Sequence, residues 1–525
     1  MEITGNLLIG AAELPASAGT MKALNPASNA EIEPAFALGG AAEVERAAQL
    51  ADDAFDSYNN TSLAVRAAFL ERIADGLDAI APQLAQRASL ETGLPVAQLE
   101  GETAKAAIQF RQFATVVRQG RFRQATIDPA QPERQPRARM DHRLQKIAIG
   151  PVAIFGASNF PISYSVAGGD TASALAAGCP VILKAHNGHP GASELMGRVI
   201  QQAVAASGLH EGVFSLVRGA GNGIGEALVE HPLVKGVTFT GSEAGGMALF
   251  HRAQRRPDPI PVFTEMTSVN PTFVLPAALA ARGHAIGDGF AERMLVTVGQ
   301  ACLKPAILLA LDGPGYDDLK EAMSARVKAM RARTMLTPGI CEAYRNNLHR
   351  QQQAGATQIA TGPGSEGAWE GQAVLFEVDG ASMLEQPSLS EEVFGPNALL
   401  VKVADVEQLL AIARQFRGQL SATMQIEQAD YSLAMRLLPL LERRTGRIVI
   451  NAFAHPQEVS YASIHGGPFP ATSDSRFTSV GMSAIERFLR PVCYQGFPDE
   501  MLPEALRHDN PLGIWRVTEG EMARE

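Results

Sequence analysis

The feature that most constrains this chain is a strand–helix alternation that starts near residue 146 and recurs, in two blocks, to Asn451. In the first block, KIAIGPVAIFGA reads as strand, DTASALAAGC as helix and PVILKA as a short apolar strand. SELMGRVIQQAVAASG (helix), GVFSLVRG (strand), GIGEALVEH (helix) and GVTFTGS (strand) continue it. Short apolar runs separated by helical periodicity imply βαβ units and a parallel sheet buried on both faces. The second block holds PTFVLP, AILLALDGP, a helix over 318–331, AVLFEVD, NALLVKV, the helix VEQLLAIARQF and the strand GRIVIN. The expected fold is therefore α/β with two Rossmann-type parallel-sheet lobes. Residues 41–119 precede them as helices broken at Gly93-Leu94-Pro95. Between about 128 and 143 the chain turns polar and proline-bearing, as a linker or an exposed arm, and from Gly466 it is Gly/Pro-rich with helix expected near 484–489.

Composition narrows the function. With 46 % hydrophobic and 19 % charged residues the chain can bury a large core. The balance of 45 basic against 55 acidic residues, net −10, argues against nucleic acid. Four scattered cysteines without CxxC spacing argue against a disulfide scaffold or a cysteine zinc site. There is no signal-peptide pattern and no apolar run long enough to span a bilayer, so the expected setting is reducing and cytoplasmic. No metal site is expected.

Six segments carry side chains suited to chemistry, and each has a plainer explanation. In Gly156-Ala157-Ser158-Asn159-Phe160-Pro161, Asn159 follows an apolar strand, where an amide can donate to a developing oxyanion or simply shape a turn. Lys184 ends the strand Val181–Lys184, where it can reach a ribose or phosphate or snorkel to solvent. Phe239-Thr240-Gly241-Ser242 leads into a helix, offering N–H groups and a hydroxyl to a pyrophosphate or an ordinary N-cap. Glu265 follows Phe263-Thr264 at a strand end, where apolar flanks can raise a carboxyl pKa and make it a general base, although a paired or solvated Glu is commoner. Cys302, after Gly299, suits a thiolate nucleophile or a small buried apolar residue. Cys179, Cys341 and Cys493 are expected to be buried apolar residues. Glu392 and Phe394, before Gly395-Pro396, suit a ribose and a nicotinamide ring, or a helix-ending turn.

In this order and spacing, Asn159, Lys184, Gly241-Ser242, Glu265, Cys302 and Glu392-Val393-Phe394 resemble the aldehyde dehydrogenase superfamily over residues 6–495. GASNFP, VILKAH, FTGS, EEVFGP and a GGPFP tail are most similar to its branch of 2-oxoglutarate-semialdehyde and NADP-dependent fatty aldehyde dehydrogenases.

The resemblance implies oxidation of an aldehyde to a free acid. Cys302 would be the nucleophile, Asn159 and the Cys302 N–H the oxyanion donors, and Glu265 the base that activates water. Lys184 would meet the adenosine ribose or its 2′-phosphate, Gly241 and Ser242 the pyrophosphate, Glu392 the nicotinamide ribose and Phe394 the ring. Asn187 stands where NAD-preferring relatives carry a Glu, so NADP is expected, with NAD possible and with His186 and Arg218 as further donors. The expected substrate is 2,5-dioxopentanoate, oxidised to 2-oxoglutarate; medium- and long-chain aliphatic aldehydes are the alternative. Lys304, unusual after the nucleophile, either lowers the thiol pKa or points away and serves packing. The implied domains are 1–127 with 146–262 for the nucleotide and 263–465 for catalysis. Residues 128–145 with 466–525 are the implied oligomerisation arm and tail of a homodimer or homotetramer.

Overall fold

The computed structural model describes residues 1–364, 366–454 and 458–524. Its centre is a seven-stranded sheet in the order Val262–Glu265, Gly236–Thr240, Val152–Phe155, Val181–Lys184, Phe214–Val217, Leu7–Ile9, Ala12–Leu14. The first five strands are parallel, and the N-terminal hairpin adds two antiparallel strands at the edge. Val152–Phe155 and Phe214–Val217 are buried at every position, as uninterrupted apolar runs require when helices cover both faces.

A second seven-stranded sheet follows the order Thr357–Thr361, Val374–Asp379, Asn397–Val403, Ile307–Leu311, Thr272–Val274, Gln419–Gln425, Thr445–Ile450. Only its first pair is antiparallel. The chain passes from one sheet to the other between Glu265 and Thr272, so the carboxyl end of an edge strand of the first sheet opens toward the second. This is where ligands of parallel sheets bind.

The helices Ala41–Asn59, Leu63–Thr92 and Val96–Gln119 lie between the N-terminal hairpin and the parallel strands of the first sheet. Ser62 caps the second by accepting the Val65 N–H at 3.2 Å, and Gly93 ends it at φ +70°, a left-handed cap that glycine takes without steric cost.

The stretch read as one strand, KIAIGPVAIFGA, is two. His142–Ala148 ends before Gly150 and belongs to a third sheet, in the order Leu489–Gln495, His142–Ala148, Thr126–Asp128, Arg516–Thr518, Glu521–Ala523. The polar segment between Asp128 and His142 is an ordered excursion from that sheet. Gln131 and Arg139 bridge each other, and both side chains bond Glu519 at 2.9 Å. The far edge of Leu489–Gln495 has no strand partner among the described residues, and its Cys493 is exposed, against the expectation of burial. Cys179 and Cys341 are buried. Residues Met482–Phe488 form 3₁₀ turns instead of an α-helix. No described helix is long and apolar enough to cross a membrane.

Candidate active site

Cys302 follows a strained turn. Thr297, Val298 and Gly299 all have positive φ, at 54°, 56° and 66°. Two β-branched residues in the left-handed region are costly and persist only where surroundings impose them. At Gly299 a Cβ would lie 2.1 Å from the Gly395 carbonyl oxygen, so only glycine lets the two loops meet. Side-chain amides hold the turn. Asn270 Nδ2 donates to the carbonyls of Cys302 (2.8 Å) and Lys304 (2.9 Å), and Gln300 Oε1 accepts the Leu336 N–H at 3.0 Å.

The structure gathers Asn159, Glu265 and Cys302. Asn159 is buried, and one of its amide hydrogens goes to the Gln300 carbonyl at 3.2 Å. Glu265 ends the edge strand of the first sheet; its Oε2 accepts the Ser479 hydroxyl at 2.9 Å.

The sequence reading missed His465, which stands between the two reactive groups. Its Nε2 lies 3.4 Å from Cys302 Sγ and 2.9 Å from Glu265 Oε1. His465 and Glu265 are 2 % and 4 % exposed, so their mutual attraction is weakly screened. Burial pulls the imidazole pKa down, but the neighbouring carboxylate and thiol dominate and push it up to about 10. Burial alone raises the Glu265 pKa; the imidazolium, with hydrogen bonds from His465 and Ser479, outweighs it and lowers the value. This corrects the expectation of a raised Glu265 pKa, which considered apolar flanks and not a charged partner. Burial raises the Cys302 thiol, opposed chiefly by His465 and also by Lys105. A His immediately before Gly466-Gly467-Pro468 was the available sequence signal.

Lys304 points away from the thiol. Its buried ammonium donates to the carbonyls of Val393 (2.7 Å), Gly395 (2.9 Å) and Asn397 (3.3 Å) and to Asn397 Oδ1 (3.1 Å). It staples the nucleophile loop to the Glu392–Asn397 segment, which settles the choice between thiol activation and packing.

Cys302 lines two cavities. One, of about 380 Å³, is also lined by Asn159, Gly241, Ser242, Glu265, Thr267, Glu392 and Phe394. Ser242 caps the twelve-residue helix Glu243–Gln254, its Oγ accepting the Gly245 N–H at 3.2 Å. The hydroxyl is thus committed to the cap, and the site offers an anion the helix N-terminus beside it. Glu392 accepts the Thr267 hydroxyl at 2.8 Å, and burial raises its carboxyl to about 7. Lys184 is half-buried at its strand end, and its ammonium has no hydrogen-bond partner among the described residues; burial, then repulsion from Arg218, lowers its pKa to about 8. An unpartnered lysine, a helix N-terminus and a carboxylate beside an aromatic ring fit the adenosine phosphate, pyrophosphate and nicotinamide ribose of a dinucleotide.

Two expected donors do not fit. Arg218 is fully buried (0 % exposed), stacks on Phe36 and directs Nη1 to the carbonyls of Gly5 and Ala37. The N-terminal segment covers it, so it cannot meet a phosphate. His186 stacks on His189, and its Nδ1 accepts the Gly188 N–H at 3.1 Å. Burial, with the charges of His189 and Lys184, holds its pKa well below the usual value, so it brings no positive charge at neutral pH. Asn187 donates to the Gly219 carbonyl at 3.0 Å.

The Aldehyde dehydrogenase family model matches residues 14–468. The chain belongs to the aldehyde dehydrogenase family. It is similar over its whole length to alpha-ketoglutaric semialdehyde dehydrogenase 2 of Azospirillum brasilense, 51 % identical over 99 % of this chain and 100 % of that protein. To the alpha-ketoglutaric semialdehyde dehydrogenase of Acinetobacter baylyi it is 42 % identical, over 100 % and 99 % of the two chains. In fold it resembles an aldehyde dehydrogenase of Pseudomonas syringae solved with NAD⁺ and octanal (TM-score 0.80, 23 % identity, 94 % and 97 % covered). An NADP-dependent enzyme of E. coli is similar (TM-score 0.79, 23 % identity, 94 % and 98 % covered). This aldehyde dehydrogenase is an NAD(P)-dependent oxidoreductase of the α/β class expected from its sequence.

Proposed function

We propose that this enzyme oxidises 2,5-dioxopentanoate, the semialdehyde of 2-oxoglutarate, to 2-oxoglutarate, with NADP preferred and NAD accepted. The observation that carries the substrate is full-length similarity, at 51 % and 42 % identity, to two enzymes named for that semialdehyde. The nucleotide preference rests on Lys184, which lacks a partner among the described residues, and on Asn187, which puts no carboxylate where a 2′-phosphate would be repelled.

In this reading His465 is the imidazolium: its Nε2–H, 2.9 Å from the Glu265 carboxylate and 3.4 Å from Cys302 Sγ, stabilises the thiolate left when the thiol gives its proton to solvent. The thiolate adds to the aldehyde carbon. The oxyanion that forms is held by the Cys302 N–H and by the Asn159 amide, whose second hydrogen has no partner among the described residues. The nucleotide, when bound, accepts the hydride that leaves this carbon. The resulting thioester is cleaved by water that gives its proton to the Glu265–His465 pair, and the acid departs as Cys302 recovers its thiolate.

The protein is also proposed to be a homodimer or homotetramer, assembled through the third sheet, where the outer edge of Leu489–Gln495 has no strand partner among the described residues. Light scattering after gel filtration tests this; a monomer at micromolar concentration refutes it.

The function is tested by initial rates with NAD and NADP crossed against 2,5-dioxopentanoate, glutarate semialdehyde and C6–C12 aldehydes. A kcat/KM highest for the oxo-acid with NADP supports the proposal. A steady rise with chain length overturns it in favour of aliphatic aldehydes.

A further inference from the structure

The second cavity that Cys302 lines, about 340 Å³, contains none of the dinucleotide residues. Its walls are largely apolar, with Phe160, Tyr164, Val296, Leu303 and Pro305. Two basic side chains reach it from different helices: Lys105 from Val96–Gln119 and Arg293 from Pro276–Leu295. Lys105 Nζ donates to the neutral Tyr164 hydroxyl at 3.2 Å, and Arg293 Nη2 to the Ala454 carbonyl at 3.2 Å. Neither makes an ion pair among the described residues.

The carboxylate nearest in the wall is committed elsewhere: Glu102 faces the N–H groups of Ile162 (3.4 Å) and Ser163 (3.5 Å). Ser163 Oγ, in the same wall, is buried with no hydrogen-bond partner. The other lysine of the cavity, Lys304, is turned to backbone carbonyls. Burial depresses the pKa of both Lys105 and Arg293. Partly desolvated cations that hold no close ion pair, with Glu102 and Glu458 acting on Lys105 and Glu292 on Arg293 only at longer range, are costly to keep, and the cost is offset when an anion enters.

We propose that Lys105 and Arg293 form the subsite that holds the distal carboxylate of an oxo-acid aldehyde, on the side away from the nucleotide, in the cavity that Cys302 lines. The inference rests on the oxo-acid reading above and deepens it by assigning the residues that select the substrate. In 2,5-dioxopentanoate four C–C bonds of about 1.5 Å separate the aldehyde carbon from the carboxylate, a span of about 5 Å when extended. Lys105, Arg293 and Cys302 line one cavity, so the two charges and the reacting sulfur share its walls. The Ser163 hydroxyl supplies a neutral donor to the 2-oxo group. The aromatic and aliphatic walls pack the methylenes, as in pockets with few polar groups fixing orientation.

The test compares wild type with Lys105→Met and Arg293→Met, which keep an apolar stem and remove the charge. It measures kcat/KM for 2,5-dioxopentanoate and for pentanal, a neutral aldehyde of the same chain length. It also measures inhibition of pentanal oxidation by glutarate, an anion that cannot react. Each variant is expected to lower the dioxopentanoate-to-pentanal ratio about 10- to 100-fold, mainly through KM, and to weaken glutarate inhibition similarly. Lys105→Arg and Arg293→Lys should recover part of the ratio, which a merely structural role would not. A ratio within threefold of wild type, with unchanged glutarate inhibition, overturns the subsite. If wild-type enzyme itself shows no preference for the oxo-acid, the substrate reading fails. Glutarate inhibition then still decides whether these two cations bind a carboxylate.

Discussion

Replacing His465 by Gln tests the linkage at the centre of the site. Gln keeps a polar group near the Nε2 position but carries no charge at any pH. The imidazole is raised from 6.5 to about 10 although burial opposes the charged form, so its two acidic neighbours favour the imidazolium by on the order of 5 kcal/mol, at about 1.4 kcal/mol per pH unit. Glu265 at 2.9 Å takes the larger part and the thiol at 3.4 Å the smaller. A thiolate share of about 2 kcal/mol corresponds to a roughly 30-fold change in thiolate population near neutrality.

The rate of Cys302 alkylation by iodoacetamide should therefore fall about 30-fold at pH 7 in His465→Gln. Its midpoint should move up by one to two pH units, toward the value that burial and the Glu265 carboxylate set against Lys105. kcat should fall by a similar factor, about 30-fold, in step with the thiolate population. Stability carries an independent signature. A pKa raised in the folded state means that the imidazolium's contribution is complete below pH 6.5 and disappears as pH rises toward 10. The Tm advantage of wild type over His465→Gln should shrink across that window. An alkylation profile that coincides with wild type refutes the proposed stabilisation of the thiolate by His465.

Three further outcomes follow from the geometry. Cys302→Ala should abolish aldehyde oxidation and leave nucleotide binding within a fewfold of wild type by calorimetry; full turnover would end the thioester mechanism. Glu265→Gln should release up to one equivalent of NAD(P)H per site in a rapid phase and then turn over slowly, and an unchanged steady-state rate would remove Glu265 from the deacylation step. Lys304→Met removes a donor from four acceptors, of which the Gly395 carbonyl keeps the Asn397 N–H, and with about 1 kcal/mol or more per orphaned group the chain should lose about 2–4 kcal/mol in urea unfolding, with a raised nucleotide Kd. Wild-type stability and Kd in that variant would mean the staple is dispensable.

Much of the architecture is written locally, because buried parallel strands need unbroken apolar runs and their helices need periodic ones. Val152–Phe155 and Val181–Lys184 could be placed from such runs alone. The break at Gly150, which sends His142–Ala148 to another sheet, left no mark in hydropathy because both halves are apolar. Around the site, residues at strand ends were legible by position, as with Asn159, Glu265 and Lys184. Whether such a residue faces a ligand or the interior was not, since that depends on what lies above it. Arg218 follows its strand as Lys184 follows its own, yet the segment from Gly5 to Ala37 closes over one and leaves the other half open. His465 comes from a loop 163 residues beyond Cys302, and no periodicity connects them. Lys105 sits on an ordinary amphipathic helix, and its role depends on the cavity that other segments complete.

The distance along the chain between the thiol and its partners also sets an order of assembly. Asn159 and Glu265 leave the ribosome before Cys302, whereas the carbonyls that anchor Lys304 follow by some ninety residues and His465 and Ser479 later still. A nascent or truncated chain ending before residue 465 carries a cysteine without the imidazolium that favours its thiolate. Its reactivity is switched on by the arrival of the carboxyl-terminal part of the polypeptide, so the growing chain is spared a strong nucleophile until the walls that confine it exist.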